Sequence, residues 1–273
     1  MQAVEKTRQE KLPAYVFSDE NSALRLIENG KQSLTINLHN LVSTCLQTNK
    51  NEWANLIEKF LVLVNQETLN GKNNYDDLKS LIFVQIYPKE ILQQVDIPFL
   101  SREIIPETII IPVLDSPDRI ESINRETIEK WGKTLDEIFS LALENTKNLL
   151  RNFEFENIGN GSKISVCESE NILTANLALF LSDREYSKGT GVVFSIPNRN
   201  TILILPSANT QDFKNDLTVM GNLSTKIANN SPYPLTSNLY WLIDSAFIKL
   251  PYTIDSNKFS FYPPQKFLDI FNQ

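Results

Sequence analysis

Thr108-Ile-Ile-Ile-Pro112-Val-Leu-Asp115-Ser-Pro117-Asp118, with the run from Trp131-Gly132 to Leu150 behind it, decides the fold class. Thr108 to Leu114 reads as an apolar strand. Proline cannot donate to a ladder, so Pro112 predicts a sheet edge or a bulge at that point. Asp115 to Asp118 carries turn chemistry, with Asx-type bonding and a fixed proline φ. Thr134 and Glu137 then have the spacing of a capping box. Leu135, Ile138, Phe139, Ala142, Leu143, Leu149 and Leu150 recur at the intervals of one helix face.

Working outward, the N-terminal side gives Leu24–Ile27 and Leu34–Leu38 around an Asn29-Gly30 turn, which predicts a hairpin. Trp53, Leu56, Ile57, Phe60, Leu61 and Val64 predict an amphipathic helix, and Phe83–Tyr87 a strand stopped by Pro88. On the C-terminal side, Ile172–Phe180 predicts a helix. Val192–Ile196 and Ile202–Leu205 predict a hairpin through Pro197-Asn198-Arg199-Asn200, whose asparagines tolerate positive φ. Asp212–Ala228 predicts a helix, Leu239–Leu250 one or two strands, and Pro263-Pro264 the start of a terminal helix. Strands and helices mix without βαβ alternation. The expectation is an α+β fold with mixed, largely antiparallel sheets and packed amphipathic helices. Gly159 and Gly161 mark 152–162 as a linker between similar-sized lobes, 1–151 and 163–273, the alternative being that both pack as one domain.

Composition narrows the function classes. With 26 Lys and Arg against 33 Asp and Glu the net charge is −7, and the basic residues are scattered. Binding to nucleic acid or to an anionic membrane is therefore disfavoured, whereas a basic protein partner would be steered in. No apolar run approaches a membrane span, and Met1–Glu10 has no signal-peptide core. Cys45 and Cys167 lack metal or redox spacing and read as buried thiols of a reducing compartment, so a cytoplasmic location is expected.

The quoted segments occur in a recognisable order: Leu24-Arg25-Leu26, Ile86-Tyr87-Pro88, the strand ending Leu114-Asp115, and the Trp131-led helix with Ala142 and Asn145. Ser195-Ile196-Pro197 and Pro234-Leu235-Thr236-Ser237 complete it. On these the chain resembles the YtpQ family of uncharacterised bacterial cytoplasmic proteins over roughly residues 22–250. The resemblance implies an α+β protein and brings no enzymatic residues to carry over. The chain departs from the family pattern in the Asn198-Arg199-Asn200 turn and in the Asn-rich loop around Asn70.

No catalytic set and no cofactor motif emerges. His39 is the single histidine, which excludes a multi-histidine metal centre. Gly189-Thr190-Gly191 leads into a strand and not a helix, so it reads as a bend and not a phosphate loop. Asp115 and Asp118 at a strand's carboxyl end are the candidates for a divalent cation, in a carboxylate-dependent hydrolase or transferase. The leading expectation is a non-enzymatic protein-binding module (adaptor, chaperone-like or immunity-type) that engages another protein or itself. Its candidate contacts are Arg199 and the aromatic tail at Phe259, Phe261, Tyr262 and Phe267, since aromatics and arginine are enriched at interfaces. A third reading is a small-ligand sensor with a pocket near 152–162.

Overall fold

A computed structural model describes residues 15–18, 23–28, 31–37, 41, 45, 48–65, 74–94, 99–116, 119–159, 161–183, 189–208, 211–231, 233–255 and 258–271. Chain contacts divide the protein into two units, Met1–Gly71 and Lys72–Gln273. The stretch 152–162 lies within the second unit. Every strand pairing described is antiparallel, and helices pack on the sheets, so the fold is α+β.

In the first unit, β1 (Tyr15–Ser18), β2 (Ala23–Glu28) and β3 (Lys31–Asn37) form a three-stranded sheet in that order. Glu28 faces Lys31, the register of the expected two-residue hairpin. In helix α1 (Trp53–Asn65), Trp53, Leu56, Ile57 and Phe60 are partly buried while Ala54, Asn55, Glu58 and Lys59 are exposed, which matches the three-and-four spacing.

The second unit opens with α2 (Tyr75–Leu78), β4 (Ile82–Pro88), α3 (Ile91–Gln94), β5 (Thr108–Ser116) and β6 (Arg119–Ser122), the strands pairing as β4-β5-β6. After α4 (Arg125–Lys130) comes α5 (Leu135–Leu150), started by the predicted capping box: Thr134 Oγ1 accepts from the Glu137 N–H, and Glu137 Oε2 accepts from the Thr134 N–H at 2.7 Å. A six-stranded sheet, ordered β12-β11-β9-β10-β8-β7, is built from β7 (Glu156–Asn157), β8 (Ser165–Glu168), β9 (Val192–Asn198), β10 (Thr201–Pro206), β11 (Leu239–Ile243) and β12 (Ala246–Leu250). Helix α6 (Gln211–Asn230) covers one face, where Phe213, Leu217 and Met220 meet Val193, Leu203, Leu205 and Trp241. The opposite face carries Phe194, stacked on Tyr240 at 5.3 Å and edge-on to Phe247 at 5.7 Å. The hairpin β13–β14 (Tyr252–Asp255, Lys258–Phe261) and α7 (Gln265–Phe271) end the chain. Among the described residues no helix is long and apolar enough to cross a membrane.

Several details differ from the expectation, each for a physical reason. Pro112 lies in the central strand of its sheet, not at an edge. It faces Val84 across β4, at a site where the Val84 N–H already points away to Thr146. On the other side, β5 pairs with Arg102 at Ile110 and with β6 from Val113 onward. The proline therefore falls where one neighbour gives way to the next, and its carbonyl still accepts from the Ile123 N–H at 3.0 Å. The helix expected over Ile172–Phe180 is a 3-10 segment, Thr174–Asp183, in which Thr174 to Ala178 are all buried. It touches β4, β9, β10 and α5, which cover Thr174 to Ala178, while Ser182 and Asp183 at its end are exposed. The positive-φ hairpin turn is Asp244-Ser245 (φ 49° and 60°), not Asn198–Asn200. In the β9–β10 turn, Asn198 instead accepts from the Asn200 N–H at 3.0 Å, and the ladder shifts register between Thr201 and Leu203.

β4 is an edge strand whose outward peptide groups are buried: Ile82, Val84 and Ile86 are at most 1% exposed. Side chains take the place of a fourth strand. Asn145 Nδ2 donates to the Ile82 carbonyl at 2.8 Å, and Thr146 Oγ1 accepts from the Val84 N–H at 3.0 Å. Asn176 Nδ2 donates to the Val84 carbonyl at 2.7 Å, while its Oδ1 accepts from the Ile86 N–H at 3.1 Å. An isosteric Asn176→Leu leaves a buried donor and a buried acceptor without partners, each costing about 1–3 kcal/mol. We expect urea denaturation to show a total loss of roughly 2–6 kcal/mol. A loss below about 0.5 kcal/mol, the range of ordinary surface substitutions, would mean that another group replaces the amide.

Candidate functional site

The β9–β10 hairpin delivers Arg199 to the end of β4. Its backbone is pinned on both sides: the Arg199 N–H donates to the Tyr233 carbonyl at 3.3 Å, and the Arg199 carbonyl accepts from the Ala175 N–H at 3.0 Å. Asn200 adds a bond from Nδ2 to the Ser169 carbonyl at 2.9 Å. The guanidinium lies 4.8 Å from the centre of the Tyr87 ring and 5.4 Å from that of Tyr233. Contacts of this kind are worth about 0.5–2 kcal/mol each, more as water is excluded. All three side chains are partly buried. Among the described residues no carboxylate pairs with this guanidinium; the seven ion pairs there involve other cations.

Around this cation the polar groups are fixed. The Tyr87 hydroxyl donates to Gln85 Oε1 at 3.2 Å, and the buried Gln85 donates toward the Ile172 carbonyl. Burial pushes the Tyr87 phenol above its ordinary range, opposed by the nearby Arg199 charge, so it stays neutral at physiological pH. The Leu235 N–H bonds the Pro197 carbonyl at 3.0 Å, holding the segment after Tyr233 against the same hairpin. Farther along that segment, Asn238 Nδ2 and Lys249 Nζ both reach the carboxylate of Glu107, which sits at φ 61° between the sheets. Desolvation raises the adjacent, fully buried Tyr240 phenol.

Three of the segments quoted from the sequence meet here: Ile86-Tyr87-Pro88, Ser195-Ile196-Pro197 with its Arg199 turn, and Pro234–Ser237. Arg199 was read as a candidate; Tyr87 and Tyr233 were not. The sequence signal for Tyr87 is membership of Ile86-Tyr87-Pro88, and Tyr233 merely adjoins Pro234, because ring and cation are brought together by pairings distant along the chain.

The aromatic tail fares differently. Phe267 is 4% exposed and packs edge-on to Trp241 at 5.0 Å, so as a partner contact it is corrected to a core residue. Phe259 stacks on Tyr252 at 5.1 Å, and Phe261 sits edge-on to Phe267 at 5.6 Å, both against the α6 core. Alternation along β14 places Phe259 and Phe261 on this one face, which leaves Tyr262 57% exposed. Gly191 (φ 81°) is fixed by packing, since a Cβ there would lie 2.3 Å from the Leu242 carbonyl oxygen.

Asp115 ends β5 partly buried, and desolvation raises its carboxyl above the ordinary range. Asp118 and His39 lie outside the described residues. Among the described residues no three His, Cys, Asp or Glu side chains gather as a metal site. Cys45 and Cys167 are buried and form no disulfide. No known protein family, curated protein or solved structure matches the chain.

Two outcomes follow from these placements. Because the folded state holds the Asp115 proton more tightly than the unfolded chain, stability falls as pH rises from the unfolded value near 3.9 through the raised folded one. Asp115→Asn should therefore raise Tm at pH 7, with the advantage fading below roughly pH 3.9. A lower Tm at pH 7 would reveal a cation or positive partner holding the carboxylate. For the tail, a Cβ on Gly221 would lie 2.5 Å from Phe259 Cε2. Gly221→Ala should then destabilise the native chain, yet recover about 1 kcal/mol of helix propensity in a Phe259→Ala background. Equal effects in both backgrounds would show that the ring does not rest on Gly221.

Proposed function

We propose that this chain is a non-enzymatic, cytoplasmic protein-binding module of the YtpQ type, and that its contact face is centred on Arg199, Tyr87 and Tyr233. The observation that supports this is a pre-positioned cation flanked by two tyrosine rings and with no carboxylate partner among the described residues. Arginine and tyrosine are enriched at interface hot spots, tyrosine because it brings a large rigid contact area at low entropy cost and arginine because its planar fork bonds directionally. A backbone held from both sides lowers that cost further. Net charge of −7 favours encounter with a basic partner, adding rate more than affinity. Tyr262, exposed at the end of β14, is a second contact candidate.

Affinity capture from the native host, with light scattering to detect self-association, tests this reading. Wild-type chain should retain a near-stoichiometric protein partner or form a dimer. The double variant Arg199→Ala/Tyr233→Ala, checked for an intact cooperative melt, should lose about 2 kcal/mol or more of that affinity, roughly thirtyfold in Kd. Undiminished binding by a folded double variant would remove the proposed face. A monomer that captures nothing would overturn the binding module itself.

A further inference from the structure

We propose that Arg199 receives a single carboxylate from the partner protein, an inference that rests on the protein-binding reading above. A guanidinium offers five N–H donors in one plane, and a cation–π contact places the charge over a ring without supplying an oxygen acceptor to those donors. Tyr87 and Tyr233 therefore satisfy the group as a cation without spending its hydrogen bonds. Among the described residues none of the ion pairs involves Arg199, whose hydrogen bonds there run through its backbone, and the side chain is partly buried. An unspent fork in a partly dehydrated setting matches an anion with two coplanar oxygens, the geometry of a carboxylate bound side-on.

Charge separates a carboxylate from a phosphate. The chain carries −7 overall; Glu107, the carboxylate that Asn238 reaches, is paired with Lys249 and adds little to that field. A dianion approaching one arginine in that field is repelled more than a monoanion. The long-range field also favours basic surroundings on the partner, so the expected epitope is one Asp, Glu or C-terminal carboxylate set among Lys or Arg. Local and global charge then select different features of the same surface.

The purely structural reading is that Arg199 only ties β4 to the 233–238 segment. Under it, small anions at matched ionic strength leave the guanidinium unaffected. The test is an NMR titration of the ¹⁵N-labelled full-length chain with sodium acetate, acetamide, inorganic phosphate and sodium chloride. The Arg199 Nε–H resonance is assigned by its loss in Arg199→Lys. We expect a saturable shift with acetate, no response to neutral acetamide or chloride, and a weaker response to phosphate. A linear, chloride-like response to acetate, or an equal one to acetamide, overturns the carboxylate assignment; a stronger response to phosphate overturns it in favour of a phosphate-bearing ligand. Arg199→Lys keeps the charge but not the fork, so tenfold or greater weakening of partner binding with unchanged Tm supports the side-on mode. Acetate silence in a protein that still captures its partner through Tyr87 and Tyr233 defeats this inference alone. Acetate binding without any partner defeats the protein-binding reading instead.

Discussion

The side chain of Asn176 stands where a further strand beyond β4 would be in the β4-β5-β6 sheet. Its amide pairs with the Val84 carbonyl and the Ile86 N–H as a neighbouring peptide group would, at 2.7 and 3.1 Å. Those groups are sealed from water by the core, and a buried peptide dipole left unmatched costs more than a typical matched pair contributes. Everything that covers β4 is arranged around this requirement. Asn145 and Thr146 complete the edge from α5, so a helix, not a strand, closes the sheet. The 3-10 segment that presents Asn176 also packs on β9 and β10, and so links the β4-β5-β6 sheet to the six-stranded sheet.

Much of this fold was legible because local pattern and local structure agree. The capping box at Thr134, the β2–β3 and β9–β10 hairpins, α6 and the Pro-initiated α7 follow directly from periodicity and turn chemistry. The misreadings occur where burial is polar or complete. Leu149 fits the apolar stripe of α5 yet is 39% exposed, whereas Thr146, passed over as polar, is fully buried because its hydroxyl serves β4. Thr174–Ala178 has no amphipathic period to detect, since every face of that segment meets protein. Pro112 reads as an edge or bulge signal, whereas β5 is central and has two partial neighbours on the same side.

The candidate site was legible only in part, for a related reason. Arg199 could be picked out as a charged residue on a hairpin turn, but its two rings come from β4 and from the segment before β11. Nothing in periodicity reports a pairing set by tertiary structure. The aromatic tail shows the converse error. Aromatic density suggested a surface, while period-2 alternation along β14 already separated Phe259 and Phe261 from Tyr262.

The same constraint that fixes the sheets also shapes the surface. Tyr87 is the residue after Ile86, whose N–H is held by Asn176, so the ring beside Arg199 inherits the rigidity of the buried edge. Arg199 is held in turn by Ala175, the residue before Asn176. The backbones that carry ring and cation are thus anchored by adjacent residues of one buried segment. A cation presented in this way loses little entropy when it meets an anion, and its affinity reflects geometry more than area. Loosening Asn176 would therefore be felt at Arg199 even though the two side chains do different work, and the stability of the core and the shape of the surface are one physical problem.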